Sequence, residues 1–71
     1  MNELDYEKTL GPYNGKEVTV YPKGINPIKG MLNKGPMFYT IRGDAGMLIL
    51  MPGHPAEIHT NDGIIQLSEL R

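Results

Sequence analysis

The residues with the most recognisable chemistry are His54, Glu57 and His59, in the pattern His-x-x-Glu-x-His. Neutral imidazoles and a carboxylate are zinc ligands, and Glu57 and His59 share a face if they lie on a strand. The spacing matches no standard helical or knuckle motif, so the plainer reading is two surface histidines, one in a proline-rich loop and one on an edge strand. Hydrolysis needs a nucleophile, a base and an orienting group. Ser68 is the only serine, and Asp44, Asp62, His54 and His59 lie in or near turn signals. No local pattern joins them, and no enzymatic activity is expected. The glycines are scattered without a Gly-x-Gly-x-x-Gly or phosphate-loop arrangement, so nucleotide binding is not indicated. No cofactor, metal or small-molecule substrate is called for.

Binding chemistry is better represented. Tyr21, Phe38 and Tyr39 are interleaved with Lys23, Lys29, Lys34 and Arg42. Aromatics on a sheet face with cations along its edge bind single-stranded nucleic acid. On that alternative reading Tyr21, Lys29, Lys34, Phe38 and Arg42 carry the contact. Phe38 and Tyr39 alternate, however, so one of them enters the core. The modest number of cations also gives only a small counterion-release contribution. Arg42-Gly43-Asp44 coincides with the integrin-recognition tripeptide; without a secretion signal it is read as accidental.

The strongest feature is the unbroken apolar run Met47-Leu48-Ile49-Leu50-Met51, stopped by Pro52-Gly53-His54-Pro55. Side chains on a strand alternate between faces, so this run places apolar groups on both. One face enters a core. The other is covered by the N-terminal segment or by the 52–56 loop, or it meets a partner. Methionine suits permissive interfaces. The expectation is a protein interface, with another protein or a second copy, formed by Met37, Tyr39, Arg42, Met47, Ile49 and Met51.

The rest of the chain must present these residues from a small frame. A chain of 71 residues and 7.9 kDa is one domain. Area scaling gives it a folded surface of roughly 4,400 Å² and burial of about 60% of the unfolded surface. There is no cysteine, hence no disulfide and no thiolate metal site. The formal charge of −1 conceals a basic middle, with Lys16, Lys23, Lys29, Lys34 and Arg42 against Glu17 alone, between acidic ends. The simple account is solvated strand faces. No apolar stretch approaches the ~20 residues that span a bilayer. The N-terminus has no apolar signal core, so the expected location is cytoplasmic.

Glycine and proline recur every few residues, and helical periodicity is absent after position 11. Residues 1–11 read as a short helix or arm, with Asn2 as N-cap, Gly11 as its end, and Leu4 and Leu10 as docking residues. Residues 12–71 read as the β domain. Strands are expected over 17–21, 28–32, 37–42, 47–51, 57–60 and 64–67, with a hairpin at Asn61-Asp62-Gly63 and a closing turn at 68–70.

Gly15 to Tyr21, Ile28-Lys29-Gly30-Met31-Leu32 and Asn61 to Leu70 together resemble the SH3-like barrel family. The shared pattern is a first strand, a second strand with a glycine at its bend, and a hairpin into a last strand with a terminal turn. It covers about two-thirds of the chain. Ile41-Arg42-Gly43-Asp44 before an apolar strand resembles the second signature of Sm-like RNA-binding proteins, and Val18 to Leu32 the start of their first; the Asp-x-x-x-Asn between them is absent. The resemblances imply an all-β, closed or nearly closed small barrel of five or six strands. The functional expectation is a non-catalytic binding module. It would be an accessory or regulatory factor of the kind that phages and mobile elements encode.

Overall fold

Two glycines face each other across neighbouring strands of this molecule, where the backbones pass too close for a Cβ. In the computed structural model, which describes residues 5–44 and 46–71, Gly30 and Gly43 are register partners. A methyl group on Gly30 would overlap the Arg42 carbonyl, and one on Gly43 would stand 2.6 Å from the Lys29 carbonyl oxygen. Only residues without Cβ allow the two backbones to approach this closely.

The strands are β1 (Glu17–Pro22), β2 (Ile28–Lys34), β3 (Tyr39–Gly43), β4 (Gly46–Leu50), β5 (Ala56–Thr60) and β6 (Gly63–Gln66). They form one antiparallel sheet of order β4-β3-β2-β1-β5-β6. The fold is thus all-β and barrel-like, but the sheet does not close: among the described residues β4 and β6 each have a strand neighbour on one side only. The total surface is 4847 Å².

The helix α1 (Tyr6–Leu10) starts one turn later than the sequence suggests, because Asp5 caps it by accepting the Lys8 backbone N–H at 2.9 Å. Asn2 and Leu4 lie outside the described residues. Gly11 caps the end of the α-helix as expected, but in a right-handed rather than left-handed conformation, so the chain continues into a 3-10 turn, Gly11–Tyr13. Tyr6 and Leu10 join Val18, Val20, Leu32, Tyr39, Ile41, Leu50, Ile58, Leu67 and Leu70 in a single core. The Tyr6 N–H donates to the Arg71 carbonyl, tying the helix to the last residue.

The third strand begins at Tyr39 rather than Met37. Gly35 N–H donates to the Phe38 carbonyl at 2.9 Å, so Pro36 and Met37 form the turn between β2 and β3. β2 accordingly runs on to Lys34, whose N–H reaches the Asn14 side chain. The hairpin at 60–63 forms where the sequence places it. Thr60 Oγ1 accepts the Asp62 N–H and donates to the Gly63 carbonyl, and Gly63 takes a φ of 139°.

Candidate protein-binding edge

Strand register decides which residues share a surface. Met47 stands opposite Arg42, which stands opposite Met31; Ile49 stands opposite Thr40, which stands opposite Asn33. These form the outer face of the β2–β3–β4 sheet. Within the apolar run, Leu50 is buried in the core and Leu48 partly buried against it, while Met47 and Ile49 are 55% and 49% exposed. His54, Pro55 and Ala56 of the 52–56 segment border Ile49 across a cleft but leave it half exposed.

The peptide groups of these two residues face away from the sheet. Tyr6 supplies the key: its hydroxyl accepts the Tyr39 N–H at 2.7 Å and donates to the Leu50 carbonyl. Tyr39 and Leu50 are register partners, so this bridge identifies them as a pair whose N–H and C=O groups turn toward each other. Such groups alternate sides along an antiparallel strand. Leu50, Leu48 and Gly46 therefore turn theirs to β3, while Ile49 and Met47 turn theirs to the free edge. Burial raises the pKa of both the Tyr6 and Tyr39 phenols above the ordinary tyrosine value.

Hollows flank this edge on both sides. On the outer side Met37, Phe38, Thr40 and Ile49 line one of about 250 Å³, with Met37 76% exposed at its rim. On the inner side lies the open seam of the barrel, a cleft of about 280 Å³ between Leu48 and Ile49 of β4 and Pro22, Ile25 and Pro55 across it. Lys23 and His54 stand at this cleft.

Of the residues predicted for the interface, Met47, Ile49 and Met37 are exposed on this flank, Met51 is exposed just past the end of β4, and Arg42 adjoins the flank on β3. Tyr39 requires correction. Its side chain points inward, 3% exposed, with its ring edge-on to Tyr6 at a centroid distance of 5.5 Å and its hydroxyl directed to Glu7. Because Met37 belongs to the turn, it does not share a face with Tyr39. The sequence reading also missed Ile25 and Tyr6. An apolar residue between Gly24 and Asn26-Pro27 was the available signal for Ile25.

The residues of the nucleic-acid alternative are only partly gathered: Lys29 and Arg42 line one hollow of about 550 Å³, together with the acidic Glu17 and Asp44, and Tyr21, Lys34 and Phe38 do not line it. Tyr21 lies in β1 next to β5, where its ring meets His59 at 4.2 Å. Lys29 pairs with Glu17 at 3.8 Å, and Lys34 with Glu7 at 3.2 Å. Phe38 is partly buried against the core. Arg42 is exposed beside Met31 and Met47.

The His-x-x-Glu-x-His residues separate as well. His54 borders the seam. Glu57 accepts from the Gln66 amide at 3.0 Å and contacts His59 Nε2 at 3.1 Å. These bonds hold the Glu57 carboxyl below its ordinary pKa, the Gln66 bond most of all. Among the described residues no three His, Asp or Glu side chains are grouped to hold a metal ion. Ser68 sits in the closing 3-10 turn, and Asp62 accepts the Tyr13 hydroxyl at 2.9 Å.

Among the described residues no helix is long and apolar enough to cross a membrane. In comparisons with known proteins, no family model, curated protein or solved structure matches this chain.

Proposed function

We propose that this protein is a non-catalytic protein-binding module, an accessory or regulatory factor that takes up an extended strand along the free edge of β4. The observation that carries the reading is that Met47 and Ile49 are half exposed and turn their peptide groups to an edge that, among the described residues, no strand pairs with. Edge strands in monomers are blunted by charge, proline or a bulge, and Gly46–Leu50 has none of these. Backbone pairing would supply affinity, while the hollows on either side of the strand would take alternate side chains and supply selectivity.

Kinship with SH3-like barrels belongs to the same proposal. It is supported by the close approach at Gly30, the pairing of β1 with both β2 and β5, and the terminal 3-10 turn. The test is a titration of isotope-labelled protein with a soluble alternating valine–threonine peptide, followed by amide chemical shifts. Shifts centred on Met47 and Ile49, absent in Ile49→Asp, are expected. Shifts confined to Tyr21, Lys29 and Arg42 on adding an oligonucleotide, with none at β4 on adding the peptide, would replace this reading with the nucleic-acid one.

A further inference from the structure

Resting on the reading above, we propose that the strand taken up by β4 is the β4 of a second copy, related by a two-fold axis through Leu48. The strand is self-complementary about that residue. Met47 and Ile49 both turn their peptide groups to the free edge. In an antiparallel pairing each Met47 therefore exchanges N–H and C=O with Ile49 of the other copy, and Leu48 faces its own counterpart. A register shifted toward Met51 is disfavoured, because the Met51 carbonyl already accepts the His54 N–H at 3.2 Å.

Charge selects the same orientation. Asp44 lies just before β4, with Arg42 beside it on β3, and Lys23 lies at the cleft near the other end of the strand. The two-fold arrangement brings Asp44 of one copy toward the Lys23 end of the other, whereas a parallel pairing would set Asp44 against Asp44. The strand itself carries no charge, so its copies meet without repulsion.

The apolar surface has the corresponding distribution. Ile25, Met37, Met47 and Ile49 are four of the eight large apolar residues exposed among the described residues, and all four line or adjoin this edge; exposed Met51 follows directly after it in sequence. A stable interface takes about 800 Å² per partner, roughly a sixth of the 4847 Å² this chain presents. A small domain without disulfides is also the class that gains from self-association.

The experiment is sedimentation equilibrium on the full chain from micromolar to millimolar concentration. It is joined by amide exchange and by oxidation of a Leu48→Cys variant whose fold has been verified by circular dichroism. The chain has no native cysteine, so any cross-link reports position 48. A monomer–dimer equilibrium is expected, with Met47 and Ile49 amides protected only in the dimer. Oxidised Leu48→Cys protein should form a symmetric disulfide between two copies. Ile49→Asp should weaken dimerisation about tenfold or more, since it places a charge in a desolvated centre. Ile64→Asp on the exposed face of β6 should leave it unchanged.

A dimer abolished by Ile64→Asp and retained by Ile49→Asp would overturn the proposal. So would a monomer at every concentration. In that case a synthetic peptide of residues 44–52 separates the two readings. If a peptide with another sequence binds at Met47 and Ile49 and the 44–52 peptide does not, the edge remains a docking site and only the second copy is rejected. Binding by neither peptide rejects both.

Discussion

The hydroxyl of Tyr6 occupies the place where the backbones of Tyr39 and Leu50 would otherwise bond directly, accepting from the Tyr39 N–H and donating to the Leu50 carbonyl. A side chain from the helix thereby completes the ladder between β3 and β4. Removing that oxygen leaves a buried donor and a buried acceptor without partners, which costs about 1–3 kcal/mol. Tyr6→Phe is expected to lower the thermal midpoint by roughly 4–8 °C for each kcal/mol lost. A calorimetric midpoint equal to that of the wild type would show that the bridge contributes nothing.

The apolar run has an even–odd asymmetry. Leu50→Ala empties a core position and is expected to cost about 2–5 kcal/mol. Ile49→Ser changes a half-exposed side chain and is expected to shift stability by no more than about 0.5 kcal/mol. Urea unfolding of the two variants at low protein concentration measures the contrast. Equal losses would mean that both faces of β4 are covered.

Gly30→Ala forces a methyl group onto the Arg42 carbonyl. The obstacle is backbone rather than a movable side chain, so a loss of about 3 kcal/mol or more is expected. A variant that unfolds at the wild-type urea concentration would refute the close approach of β2 and β3.

Acid should weaken the β5–β6 hairpin. The folded-state pKa of Glu57 is depressed, chiefly by the Gln66 amide and then by His59. A depressed carboxyl stabilises the fold above the unfolded carboxylate pKa, and that contribution disappears as pH falls through the folded value. Stability should therefore decline below about pH 4.5, and Glu57→Gln should show a shallower decline. Parallel urea-midpoint profiles between neutral and acidic pH would exclude the contribution.

Much of this architecture is legible in the punctuation of the chain. Pro22-Lys23-Gly24, Gly35-Pro36 and Asn61-Asp62-Gly63 mark chain reversals because their φ preferences are strong and local, and six strands follow between them. The inward turn of Tyr39 is legible in the alternation itself: Tyr39 shares its face with Ile41, while Thr40 and charged Arg42 take the other, so Tyr39 and Arg42 cannot belong to one surface of the strand. Its contacts with Tyr6 and Glu7 come from a distant segment and are not legible. Likewise Met37 has the pattern of a strand residue, yet the Gly35–Phe38 bond makes it the tip of a turn. For the half-exposed side of Met47–Met51 the sequence leaves two outcomes, covered or open. Choosing between them requires the positions of the helix and the 52–56 loop, which no local pattern encodes.

The position of β1 bears on the order of assembly. Thr19 pairs with Lys29 on one side and with His59 on the other. The first pairing closes a short loop. The second must wait for most of the chain to be brought back, at a larger entropic cost. The β1–β4 meander can thus organise early, with the β5–β6 hairpin docking late against a strand already held on its other side. Thr19 and Val20, the two residues that take part in both pairings, should be the last backbone amides to yield to hydrogen exchange, and β6 among the first.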